Sequence, residues 1–327
     1  MRVLITGGAG FVGRAFTRRL VDDGHRVTVV DNLCAGQMRE SWSFKPKSLY
    51  AFEFAVMNIR DYFENHSCDQ FDLIIHCAAI VGGRLKIDGD PLAVATDLAI
   101  DADFFNWCAR GKKEKQIIYF SSSAVYPLEL QTRDKNMDLN ERLVSFAGTR
   151  VSLPDQSYGW SKLSGEYLAK IAVEKYKLDV KIFRPFGGYG PDQAFDYPFP
   201  SIIARILEKR DPVVVWGSGE QVRDFVYVDD VIECVLSTKD KLKPGEVLNI
   251  GTGRGVSFRE LAEMACNILG HKAEIVSNPD RPEGVFRRVS DTYKMLPLFK
   301  PKTKLEQGIM KVAHHVKKHL DRFKKPV

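Results

Sequence analysis

An apolar run, Val3-Leu4-Ile5-Thr6, passes directly into Gly7-Gly8-Ala9-Gly10-Phe11-Val12-Gly13, so glycines recur three apart where a buried strand must turn into a helix. Gly7 permits a tight turn, Gly10 lets the backbone approach a bound group with no Cβ in the way, and Gly13 lets the following helix pack on the strand. A helix starting at Phe11 and Val12 presents unpaired N–H groups to an anion, so this segment is read as a cradle for a dinucleotide pyrophosphate. A second apolar strand, His25 to Val30, ends at Asp31, where a carboxylate can hold ribose hydroxyls and repels a 2′-phosphate. No arginine immediately follows Asp31, so the cofactor expected is NAD rather than NADP.

A chain of 327 residues is long enough for one large α/β domain or two joined closely, and no Pro/Ser/Gly-rich spacer or fixed-period repeat separates them. The six cysteines include no C-x-x-C pair and no metal-ligand spacing, so they are expected to be free thiols with no bound metal. The cofactor strand begins at residue 2 and no apolar run approaches the length of a membrane span, which predicts a soluble, cytoplasmic protein. The net charge of +6 arises mostly from Lys304 onward, where seven Lys or Arg face two Asp or Glu. There Val312, Val316 and Leu320 recur at helical spacing, as in an amphipathic helix docking one face on the body; no aromatic platform accompanies the lysines, and neither nucleic acid nor a membrane is expected as partner.

Strands are predicted at Tyr50 to Val56, at Phe71 to Ala79 and at Gln116 to Phe120, with helices at Pro91 to Arg110, from Tyr158 to about Tyr176, and at Pro198 to Lys209. Their alternation implies right-handed βαβ crossovers and an α/β fold: a doubly wound parallel sheet of Rossmann type with a smaller, interleaved C-terminal substrate lobe. The dinucleotide domain is assigned to 1–182 with a return segment near 224–250, and the lobe to 183–223 and 251–327.

The strand ending at Phe120 delivers Ser121, Ser122 and Ser123 to the carboxyl edge of the sheet, where ligands sit in open α/β folds. Tyr158 and Lys162, four apart at the start of a helix, share one face. A phenol is a poor base near neutral pH, but a neighbouring ammonium and a positive nicotinamide ring would stabilise its phenolate. Ser122 would hold the substrate oxygen while Tyr158 exchanges its proton.

With these motifs together, the chain resembles an extended short-chain dehydrogenase/reductase of the NAD-dependent nucleotide-sugar epimerase/dehydratase family, over nearly its whole length. The resemblance implies cofactor contacts at Gly7, Gly10, Phe11, Val12, Gly13, Asp31, Asn32, Asn58, Ile59, Ala78, Ala79, Tyr158 and Lys162, and catalytic roles for Ser122, Tyr158 and Lys162. It further implies that Gly83, Arg84, Ser123, Trp216, Arg223, Arg281 and Glu283 contact a nucleotide-diphosphate sugar, with Arg223 on the diphosphate. Asn58 departs from the family's usual aspartate. The loop Ile80-Val81-Gly82-Gly83-Arg84 resembles that of the GDP-mannose 3,5-epimerase and GDP-fucose synthase branch, which leans toward GDP over UDP, and the family implies a homodimer.

Family members open by oxidising the sugar C4 hydroxyl, and the later steps depend on further acids and bases. Here Ser123 and Ala124 stand where the 4,6-dehydratases carry Asp-Glu, and Ala124 where 3,5-epimerases carry cysteine and decarboxylases commonly glutamate. Chemistry confined to C4 therefore remains. A 4-epimerase is expected, with a C4 dehydrogenase or ketoreductase of a GDP-sugar, or a non-catalytic nucleotide-sensing protein, as alternatives.

Overall fold

The computed structural model describes residues 1–42, 51–82, 84–148 and 151–323. Its first half alternates β1 (Arg2–Thr6), α1 (Phe11–Asp22), β2 (Arg26–Asp31), β3 (Phe52–Val56), α2 (Ile59–Asn65), β4 (Leu73–His76), α3 (Arg84–Gly89), α4 (Pro91–Ala95), α5 (Asp97–Arg110), β5 (Gln116–Phe120), α6 (Gln156–Tyr176) and β6 (Asp179–Pro185). The second half continues through β7 (Gly188–Tyr189), α7 (Pro198–Leu207), β8 (Val213–Trp216), β9 (Val222–Asp224), β10 (Val226–Tyr227), α8 (Val228–Thr238) and β11 (Val247–Ile250). It ends with β12 (Gly255–Ser257), α9 (Phe258–Leu269), β13 (Ile275–Asn278), β14 (Arg287–Arg288), α10 (Leu305–Lys318) and α11 (Leu320–Phe323).

Seven strands form one parallel sheet in the order β11-β6-β5-β4-β1-β2-β3, the reversal beside β1 marking the crevice at which such sheets bind ligands. The pleat sends alternate residues to opposite faces: Val3 and Ile5 join a core with α1 and α8, while Leu4 joins another with α2, α5 and α6. Both faces being covered explains why the strand segments read as almost continuously apolar. A third core, with Ile202 and Ile206 of α7, Val213 and Val215 of β8, Leu261 of α9, and Ile309, Val312 and Val316 of α10, builds the body beyond the sheet's carboxyl edge. The basic C-terminal segment thus docks through its valines, as its spacing predicts.

The helix predicted across Pro91 to Arg110 is divided at Thr96. The amides of Thr96 and Ala99 bond three residues back, to Ala93 and Thr96, tightening the chain so that α5 begins with Asp97 turned inward. The strand predicted over Phe71 to Ala79 is regular only over Leu73–His76, and Tyr50, the expected start of β3, lies outside the described residues. No helix among the described residues is long and apolar enough to cross a membrane.

Candidate active site

The turn from β1 into α1 is built as its glycines demand. Gly7 has φ +68°, donates its N–H to the Val30 carbonyl at 2.8 Å, and would place a Cβ 2.7 Å from Cα of Ala78. A Cβ on Gly13 would lie 2.3 Å from the Gly7 carbonyl oxygen, and one on Gly10 3.2 Å from it. The Gly10 N-cap of α1 supplies no side-chain cap, so the amides at Phe11 and Val12 face the turn ready for an anion. At the end of β2, Asp31 is 8 % exposed and accepts the Ala9 amide at 3.0 Å and the Leu33 amide at 2.8 Å. The carboxylate is fixed at the rim of the cradle, where a 2′-phosphate would meet its charge. This close-approach turn with a carboxylate one strand away fits NAD.

The other cofactor candidates spread along the same edge. Asn32 is exposed and accepts the Cys34 amide, Ala79 is half-buried, and the Ala78 amide donates to Thr6 Oγ1 at 3.3 Å. Asn58 caps α2 by accepting the Arg60 amide at 3.0 Å, with Ile59 buried behind it. That cap occupies the Asn58 carbonyl and leaves its amide group as the donor for a ligand. Gly83 lies outside the described residues, and Arg84 begins α3.

Ser122, Tyr158 and Lys162 come together where β5 ends against α6. Ser122 accepts the Ala124 amide at 3.1 Å, turning the chain through 123–125 with Ser123 buried. Gly159 lets α6 approach that turn, since a Cβ there would sit 2.6 Å from the Ala124 carbonyl oxygen. Lys162 is 2 % exposed, its Nζ 5.9 Å from the centre of the Tyr158 ring and 5.4 Å from that of Tyr119. Burial raises the Tyr158 phenol above its ordinary ionisation, Lys162 pulls it back, Asp97 pushes it higher, and a hydrogen bond with Ser122 favours the phenolate. Burial prevails over the lysine, and the phenol ionises above its ordinary range. For Lys162 itself burial disfavours the ammonium, but Asp101, Tyr158 and Asp97 outweigh it and hold the charge.

Behind this pair lies a buried network that the sequence did not suggest. The Thr6 hydroxyl is 2.7 Å from His76 Nδ1, His76 Nε2 is 3.1 Å from one oxygen of Asp101, and the Tyr119 hydroxyl donates to the other at 2.5 Å. Burial keeps the His76 imidazole neutral against the pull of Asp101, so it donates through Nε2 and accepts through Nδ1. Gly165 makes room for this: a Cβ there would fall 1.8 Å from the Tyr119 hydroxyl. The one available signal was the four-residue spacing of Asp97 and Asp101, two acids on the face of the helix that also carries Phe104, Phe105 and Cys108.

Trp216, Arg281 and Glu283 form a second cluster. The Arg281 guanidinium stands 5.4 Å from the centre of the half-buried Trp216 indole, and Glu283 accepts the Ser218 hydroxyl at 2.5 Å. Arg205 of α7, which sequence reasoning missed, stands 5.9 Å from the same ring, and burial together with Arg210 and Arg281 brings its guanidinium down to about 10. Arg223 lies on β9 with its guanidinium 5.5 Å from the centre of the Phe258 ring. The adjacent Asp224, buried and accepting from Thr252, Gly253 and Ser290, fastens β9 in place.

Residues 3–251 match the model of the NAD dependent epimerase/dehydratase family. The chain is 30% identical to UDP-N-acetyl-alpha-D-glucosaminuronate decarboxylase of Bacillus cytotoxicus, an alignment covering 94% of this chain and 95% of that protein. It is 29% identical to a putative UDP-glucose 4-epimerase of Methanocaldococcus jannaschii, over 96% of this chain and 98% of the other. Among solved structures, the UDP-glucose 4-epimerase of Thermotoga maritima with UDP-glucose superposes with a TM-score of 0.82 at 27% identity, covering 98% of this chain and 100% of that one.

Proposed function

Because the chain belongs to the NAD dependent epimerase/dehydratase family, with relatives that are enzymes acting on nucleotide sugars, we propose that it is a nucleotide-sugar 4-epimerase working through a transient 4-keto sugar. The observation that carries the reading is the pairing of Tyr158 with buried Lys162 beside Ser122, next to a residue, Ala124, with no group to move a carbon-bound proton. Ser122 holds the C4 oxygen. Tyr158 takes the C4 hydroxyl proton and returns it when the keto group is reduced on its other face, while Lys162 remains charged and favours the phenolate in between. The glycine cradle and Asp31 would hold NAD, which would supply the acceptor of the C4 hydride and, once reduced, its donor.

Arg223 is assigned to the diphosphate, and Trp216, Arg281 and Glu283 to the nucleoside, because a planar guanidinium suits phosphate oxygens and an aromatic face suits a base. Gly83, Arg84 and Ser123 are assigned to the sugar. Residues 1–182 with 224–250 are assigned to the dinucleotide domain, and 183–223 with 251–327 to the substrate lobe. The three relatives are named for UDP sugars, so UDP sugars are the first substrates to test and GDP sugars the second.

The test is incubation of the NAD-loaded protein with UDP-glucose, UDP-N-acetylglucosamine, UDP-glucuronate or GDP-mannose in deuterated water. The expected product is the C4 epimer with no deuterium on carbon, because proton exchange is confined to oxygen. Carbon-bound deuterium or release of carbon dioxide would sink the reading and call for another acid or base. Cys77 is poorly suited, since burial pushes its thiol up to about 12.

We also propose a homodimer formed through α5 and α6, whose outer faces leave Leu98, Trp160 and Tyr167 exposed. Light scattering at micromolar concentration should give twice the chain mass. A monomer mass would overturn the assignment.

A further inference from the structure

Asp97, one turn before Asp101 on α5, is a buried acid beside that network whose hydrogen-bonding capacity is not used up among the described residues. It is 0 % exposed, accepts the Ile80 amide on Oδ1 at 2.6 Å, and among the described residues has no partner on Oδ2. Asp101, one turn along α5, is by contrast committed on both oxygens to His76 and Tyr119. A buried carboxylate oxygen left without a donor is costly, and it is tolerated in the ionised form only where a nearby cation compensates. That cation is Lys162, two carboxylates and one ammonium sharing a water-poor space. Among the described residues, the ionisable groups facing Asp97 are Lys162 and Tyr158 from α6 and Asp101 from its own helix, with His76 and Cys77 at the end of β4 and Tyr119 of β5 behind them.

We propose that Asp97 is a positioning residue for the proton-transfer pair: its carboxylate, anchored on the Ile80 amide and buried within reach of Lys162, offsets the lysine's charge and thereby sets the pH at which Tyr158 gives up its proton. This rests on the reading of Tyr158 and Lys162 as the proton-handling pair. Burial pushes the Asp97 carboxyl up to about 6 while Lys162 restrains the rise, so the group is charged at neutral pH and neutral in moderate acid. Charged, it opposes the second negative charge that a Tyr158 phenolate would bring. Asp97 also couples the loop after β4, through Ile80, to the electrostatics of α6.

The variant Asp97→Asn keeps an oxygen for the Ile80 amide, removes the charge and puts an NH2 group in place of the unpartnered Oδ2. In the NAD-loaded protein, the tyrosinate absorbance titration of each background minus its Tyr158→Phe counterpart isolates the phenol of Tyr158. The midpoint should fall by about one pH unit in Asp97→Asn, as expected for removal of a buried neighbouring charge. An unchanged or higher midpoint overturns the proposal. Thermal melting supplies a second readout. A carboxyl that binds its proton more tightly folded than unfolded costs stability above its folded ionisation and none below its unfolded one. Asp97→Asn should therefore melt higher than the wild type at pH 8, with the difference vanishing near pH 4. A lower melting temperature at pH 8, or failure to fold there, would show a purely structural carboxylate and equally overturn the idea. Neither readout needs a sugar substrate, so an absence of 4-epimerisation leaves both intact and the two readings fail separately.

Discussion

Tyr158→Phe is expected to lower kcat by ~10²–10⁴-fold, the range associated with removing a positioned acid–base group, while NAD and the nucleotide sugar still bind. The ring that packs 5.9 Å from Lys162 Nζ survives the change, and only the oxygen that exchanges a proton is lost. Because that oxygen interacts with substrate in the transition state more than in the ground state, the loss should fall on kcat with KM nearly unchanged. Single-turnover absorbance at 340 nm, with isothermal titration for each ligand, separates the two effects. Turnover within threefold of wild type would remove Tyr158 from the chemistry.

The second large effect concerns stability. Glu166 of α6 and Arg184 of β6 are each 1 % exposed and paired in a fork, Nε to Oε1 at 2.8 Å and Nη2 to Oε2 at 2.6 Å. Glu166 also accepts the Ser121 hydroxyl at 2.5 Å, and Arg184 donates to the Tyr126 hydroxyl, which donates in turn to Asn249 of β11. Glu166→Gln leaves a guanidinium buried without its counter-charge, and should lower the unfolding free energy by about 3–5 kcal/mol in urea denaturation. The double variant Glu166→Gln with Arg184→Met should recover much of that loss, since it removes the stranded charge. A single variant as stable as the wild type would mean that water or a rearranged neighbour compensates Arg184. Activity should fall as well, because Glu166 lies one turn beyond Lys162 on the helix that carries Tyr158.

The parts of this molecule legible from sequence are those set by neighbours along the chain. The glycine cradle was legible because Gly7, Gly10 and Gly13 recur three apart between an apolar strand and the helix that follows it, and the Tyr158–Lys162 pair because helical spacing alone gives it a common face. Residues joined across distant elements were not. Thr6, His76, Asp101 and Tyr119 come from two other strands and a helix besides β1, and their partnership exists only once the sheet order is known. Asp97 looked like an ordinary acid in a helix predicted to begin six residues earlier; the division at Thr96 is what turns it inward. Arg205 was hidden for a similar reason, since the α7 spacing gives its face but not that β8 brings Trp216 beneath it.

The place of β11 has a consequence for how the chain comes off the ribosome. That strand hydrogen-bonds along β6, yet α7, β8 and α8 must all be synthesised before it exists. Until then the nascent sheet ends at β6, with Val180 and Ile182 on a strand whose outer row of amides and carbonyls is unpaired. Such an open border is the part of a sheet most prone to recruit a strand from another chain. The late arrival of Val247–Ile250 therefore gives the unfinished sheet a temporary border at β6, besides its lasting one at β3, for a chaperone to cover during synthesis.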